Sequence, residues 1–157
     1  MTKRILIVGV TVAVVVAAIG ALSSASADNN NTTLKLLDVA APIDTFIDDG
    51  TPGRSTGDVE VFRDTLVWAA DRQPAGRAEG KCTLIDPSTA QFECTIVTTL
   101  ASNNTITTEG TGVLTRGSTS TGAITGGTGT YENAGGHATL LFHPNGGDSV
   151  VTFTLTK

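Results

Sequence analysis

From Leu34 to Thr156 no stretch repeats its apolar residues every 3.6 positions between helix caps. Thr, Val and Ile dominate instead, and β-branched side chains suit a pleated strand better than a helix. The apolar runs are short. Between them lie turn formers, among them Ser102-Asn103-Asn104, Arg116-Gly117-Ser118, Gly126 to Gly136 and Pro144 to Asp148. About eight short strands at regular spacing predict an all-β sandwich or barrel. The strands expected are Leu34 to Val39, Val59 to Ala70 (one strand, or two with a bend), Arg77 to Ile85, Gln91 to Leu100, Thr105 to Thr115, Thr121 to Thr125, His137 to His143 and Ser149 to Thr156. Ala40 to Gly57, with Pro42 and Pro52, reads as a long loop or flap, and Asp71 to Gly76 as a hairpin turn.

The N-terminus has a different character. Lys3 and Arg4 precede an uncharged apolar run from Ile5 to Leu22, and Ala25-Ser26-Ala27 is a small-x-small site. This is the layout of a secretory signal peptide over residues 1–27, with a retained membrane anchor as the alternative. A polar leader, 28–33, and one domain, 34–157, follow. The expected product is secreted and outside the membrane. Its net charge moves from -5 to -7 when Lys3 and Arg4 are lost. That acidity disfavours nucleic acid as a partner, because phosphate contacts need clustered Lys and Arg.

Export makes a disulfide plausible. Cys82 and Cys94 are the only cysteines, and their midpoint, residue 88, falls in the turn Asp86-Pro87-Ser88-Thr89-Ala90. A hairpin folded there sets the two opposite each other, about 4.5–5.5 Å apart at Cα, within disulfide reach. The alternative is a pair of reduced thiols. With two Cys and two His, a zinc finger or an iron–sulfur cluster is not supported. His137 and His143 are about 20 Å apart on an extended strand, too far to share a metal, and read as surface or rim residues.

Three stretches resemble one family together. They are Gly57-Asp58-Val59-Glu60-Val61-Phe62-Arg63-Asp64-Thr65-Leu66, then Gly76 to Cys82, then Ala123-Ile124-Thr125-Gly126-Gly127-Thr128-Gly129-Thr130-Tyr131-Glu132-Asn133-Ala134-Gly135-Gly136. Their order and spacing resemble the allene oxide cyclase and dirigent superfamily. The resemblance implies a calycin-like, eight-stranded antiparallel β-barrel, often trimeric, that holds a hydrophobic small molecule. It implies cofactor-free chemistry of the cyclase or isomerase kind, in which a shaped cavity fixes one conformer. Asp64 matches the family's acidic position after the Val61-Phe62 pair. Arg63 stands where dirigents have a second Asp, and Glu132 and Gly135 stand where they have arginines, so lignan-type coupling does not transfer.

On a regular second strand Glu60, Phe62, Asp64, Leu66 and Trp68 share one face. Glu60 and Asp64 are then roughly 13 Å apart along it. A carboxylate in an apolar pocket has a raised pKa and can act as acid or base. Asp64 and Glu60 are therefore the candidate catalytic residues, with a solvated or interface face as the alternative. Phe62, Leu66, Trp68 and Tyr131 are the candidate substrate contacts, with core or rim packing as the alternative for the two large rings. Two further readings stand beside a cyclase: a non-catalytic carrier of a hydrophobic ligand, and a structural barrel with a filled interior. Gly126-Gly127-Thr128-Gly129 is not followed by Lys-Ser/Thr or a helix pattern, which argues against a phosphate-binding loop.

Overall fold

The computed structural model describes residues 31–156, and at 40–43 the backbone alone. The expected signal peptide lies outside the described residues. Eight strands close into one antiparallel barrel in sequence order. They are β1 (Thr32–Ile47), β2 (Val59–Trp68), β3 (Pro74–Asp86), β4 (Gln91–Leu100), β5 (Thr105–Val113), β6 (Thr119–Gly127), β7 (Gly135–Leu141) and β8 (Ser149–Thr156). No α-helix occurs among the described residues; two 3-10 turns, Ala101–Asn103 and Gly129–Tyr131, cap connections. The all-β, eight-stranded barrel expected from the sequence is the fold observed.

Closure rests on β1. Its first half pairs with β8 from Thr32↔Leu155 to Asp38↔Ser149. The same half pairs with β2 from Leu36↔Trp68 to Val39↔Thr65, and after an irregularity β1 resumes at Ile43↔Arg63 and runs to Ile47↔Val59. This corrects the reading of Ala40 to Gly57 as a loop. Pro42 lacks an N–H and fits the break in the ladder, beyond which the β-branched and apolar residues rejoin β2. The strand also starts at Thr32, inside the stretch read as leader. The connection between β1 and β2 is therefore only 48–58. Asp58, fully shielded from solvent, organises it. Its carboxylate accepts the Ser55 N–H at 2.6 Å, the Asp49 N–H at 3.0 Å and the Ser55 hydroxyl at 3.1 Å. The Ser55 N–H foremost holds the Asp58 pKa below the usual carboxylate range. Backbone bonds from Gly57 N–H to Leu84 O and from Leu84 N–H to Asp58 O fasten this connection to β3.

Alternation along the strands decides what faces inward. On β2, Val61, Arg63 and Thr65 are exposed, while Leu66 is buried. Leu36, Leu66, Leu100, Ile106, Phe153 and Leu155 form an apolar plug that fills one end of the barrel. Each such side chain contributes about 1.5–3 kcal/mol of burial. Trp68 and Tyr131 are half-buried against that plug. A smaller cluster of Cys82, Leu84 and Phe92, with Phe62 and Leu114 against it, lies toward the other end. Outside the barrel, Glu79 accepts from Arg63 at 2.6 Å and from Arg77 at 3.3 Å.

Cys82 pairs directly with Cys94 across β3 and β4, and the two form a disulfide with Cα atoms 4.1 Å apart. The bridge closes a short hairpin, for which chain entropy gives about 3 kcal/mol. The double substitution Cys82→Ala with Cys94→Ala should lower stability by about 2–3 kcal/mol, read as the urea midpoint. An unchanged midpoint would mean that the hairpin is already ordered without the bridge.

Candidate functional site: an acidic cavity at one end of the barrel

The plug leaves the other end hollow. A cavity of about 440 Å³ opens there, a size suited to a small organic ligand. Its walls differ. β1 and β2, adjacent in the sheet, contribute Asp38, Asp44, Glu60, Phe62, Asp64 and Leu66. Phe92 and Ile96 on β4 line one flank, and Leu140, Val151 and Phe153 on β7 and β8 line the other. Opposite the carboxylates, β5 and β6 contribute Gly110, Gly112 and Gly122. A Cβ on Gly110 would come within 2.7 Å of the Gly122 Cα, and one on Gly112 would overlap Ser120. The barrel folds too tightly at these glycines for a larger side chain, so this part of the wall is bare backbone.

Asp38 sits where the closing strand meets both neighbours, opposite Leu66 on β2 and Ser149 on β8. Asp64 lies diagonally across on β2. Asp38 is largely removed from water, and its Oδ1 is buried with no hydrogen-bond partner among the described residues. Burial raises its pKa to about 7, with Asp64 and then Asp148 pushing in the same direction. Asp148 in turn accepts from Arg72 at 2.7 Å.

Nearer the mouth stands a second pair. Glu60 is half-buried, and burial first, then the neighbouring charge of Asp44 and a hydrogen bond with it, raise its pKa. Two carboxyl groups can share a hydrogen bond only when one of them holds a proton. Arg54, from the 48–58 connection, lines the mouth and offsets part of this charge. Its guanidinium lies 5.7 Å from the centre of the Phe46 ring, a cation–π distance.

Four residues singled out in the sequence thus come together: Asp64, Glu60, Phe62 and Leu66 all line the cavity. Trp68 and Tyr131 do not. Trp68 ends β2 opposite Leu36, and Tyr131 closes a 3-10 turn, and both pack on the plug at the far end. Their rings supply filling where the barrel is closed. His137 and His143 are both exposed, as expected, and no group of ligands suited to a metal occurs among the described residues. Sequence reasoning missed Asp38 and Asp44. The available signal was an acid set into the apolar run Leu36-Leu37-Asp38-Val39, with Asp38 in phase with Leu36.

Fold and site together describe a hollow barrel filled at one end and open at the other. The model of the allene oxide cyclase barrel-like domain matches residues 28–146, and the chain belongs to that family. Among solved structures it is similar to a pyocyanin demethylase, at 29% identity over 80% of this chain and 100% of that one, with a TM-score of 0.67. It is also similar to an exo-specific intermolecular Diels-Alderase, at 12% identity over 81% and 98% of the two chains, TM-score 0.65. A pterocarpan synthase dirigent protein aligns at 18% identity over 80% and 81%, TM-score 0.60. The last two likenesses establish the fold alone. No curated protein matches the chain.

The elevated Asp38 has a consequence for stability. A carboxyl whose folded pKa exceeds its unfolded value stabilises the fold fully below the unfolded pKa and loses that contribution as pH rises through the folded one. The window runs from 3.8 to about 7. The loss is at most about 4 kcal/mol, reduced by whatever water in the cavity screens. Wild type should therefore lose stability relative to Asp38→Asn between pH 4 and pH 7.5, read as urea midpoints. Parallel curves for the two proteins would remove Asp38 from the buried, charge-coupled position assigned to it.

Proposed function

We propose that this barrel binds a hydrophobic small molecule in its acidic cavity and guides a cofactor-free cyclisation or coupling, with the carboxylates moving the proton. The observation that carries this reading is Asp38: a buried carboxyl of pKa about 7, in an otherwise apolar-flanked cavity, beside a second acid. A group titrating near neutrality is suited to give and take a proton at the pH of most growth media. The walls restrict the conformers a bound chain or ring system can adopt, which lowers the entropic part of the barrier. In this reading Asp38 and Asp64 are the acid–base pair, Glu60 with Asp44 holds polar groups of the substrate near the mouth, and Phe62 and Leu66 contact its apolar body.

The relative at 29% identity, named for demethylating pyocyanin, supports chemistry on a small molecule rather than a purely structural barrel. Family membership supports a homo-oligomer, with a trimer as the expected form. Secretion is part of the proposal. It is supported by the apolar run and Ala25-Ser26-Ala27 site at the N-terminus, and by a disulfide of the kind that persists in oxidising compartments. N-terminal sequencing of protein from the medium should then begin at Asp28.

Pyocyanin, a conjugated polyene and a phenolic pair offered to the purified protein form a first substrate panel, with products followed by mass spectrometry. Conversion of a substrate should fall by 100-fold or more in Asp38→Asn and in Asp64→Asn, as expected for loss of an acid–base group. Its binding should persist in both. Binding of the whole panel with no conversion by wild type would leave a carrier in place of an enzyme.

A further inference from the structure

The cavity is one-sided in charge, and this limits its ligand more than its volume does. Four carboxylates, Asp38, Asp44, Glu60 and Asp64, project from two adjacent strands, and Arg54 is the one lining cation among the described residues. Two further acids border it: Asp148 is paired with Arg72, and Glu109, on β5, is exposed. Even with a proton shared within the Glu60–Asp44 pair, the described lining carries more carboxyl groups than cations. The wall opposite is bare backbone at Gly110, Gly112 and Gly122, so no side chain there supplies a countercharge.

The second observation is the orphan oxygen. Asp38 Oδ1 is buried, lies in the cavity lining and has no hydrogen-bond partner among the described residues. A buried acceptor without a donor is costly and rare in native proteins. A ligand that brings a donor or a positive charge to that point removes the cost; a neutral hydrocarbon leaves it in place.

We infer that the ligand is an apolar small molecule carrying a positive charge or an N–H donor, with its nitrogen held at Asp38 and Asp64 and its apolar body among Phe62, Ile96, Leu140 and Phe153. This deepens the reading of the cavity given above and rests on it. It also assigns Arg54 a part: a cation at the mouth opposes entry of a cationic ligand, and so tunes the preference set deeper in the barrel.

Three fluorescent tricycles of similar size and different charge form the test: N-methylacridinium, acridine and 9-anthracenecarboxylate. Each is titrated against the full exported protein at pH 8, where acridine is neutral. N-methylacridinium should bind at least tenfold more tightly than acridine, and the anion most weakly. That preference should fall at least threefold in Asp38→Asn and in Asp64→Asn, and should rise in Arg54→Gln. Because the Arg54 change is expected in the opposite direction, general damage to the barrel does not imitate the pattern. Equal binding of cation and neutral probe, or a preference that Asp38→Asn and Asp64→Asn leave unaltered, would overturn the inference while keeping a hydrophobic cavity. Failure of all three probes to bind would overturn the cavity reading as well.

Discussion

One strand holds this molecule together. β1 is 16 residues long, and its first half carries hydrogen bonds on both edges, to β2 and to β8. Without that double pairing the sheet has two open edges and no enclosed interior. The second half continues along β2 beyond the end of β8. It thereby raises one side of the rim, and Asp44 and Phe46 stand on that extension. The residue at the last β8 pairing is Asp38. The chain therefore places its most perturbed acid where the closing contacts end and the mouth begins.

Two opposed packing solutions share the barrel interior. At one end, leucine, isoleucine and phenylalanine side chains interdigitate into a solid plug, helped by Trp68 and Tyr131. At the other, the carboxylates of β1 and β2 face a wall that is bare backbone at Gly110, Gly112 and Gly122, where no side chain fills the space. The cavity is the direct result. Removal from water is what lifts Asp38 most, since desolvation is the largest cause of its raised pKa. Stability and chemistry are coupled here in the usual sense that an ionised acid in such a place costs the fold something it recovers when a complementary ligand binds.

Much of this was legible in the residues. The β-branched runs and turn formers indicated the strands, and the strict alternation of Glu60, Phe62, Asp64 and Leu66 placed them on one face, which the folded barrel turns inward. The symmetric spacing of Cys82 and Cys94 about residue 88 foretold the disulfide. The extension of β1 was hidden because Pro42 and the turn formers after it look like a loop, and only the partner strand shows that Ile43 to Ile47 pair again. Asp38 was hidden for a related reason. Its raised pKa comes first from burial and then from Asp64 and Asp148, 26 and 110 residues further along, and all of these arise only in the closed barrel. Trp68 continues the inward face of β2, but alternation does not say which end of a barrel is hollow. Gly57-Asp58, part of the family-like motif, proved to organise a loop rather than to line the site.

The central claim is that a buried, charge-coupled carboxyl stands inside an open cavity. The most direct measurement is a carboxyl-carbon NMR titration of the protein labelled at aspartate, with Asp38→Asn used to assign the resonance. The structure predicts that Asp38 titrates at about 7 and that its midpoint falls in Asp64→Asn, where the neighbouring charge is gone. A midpoint near the ordinary value of 3.8, unmoved by Asp64→Asn, would contradict the account.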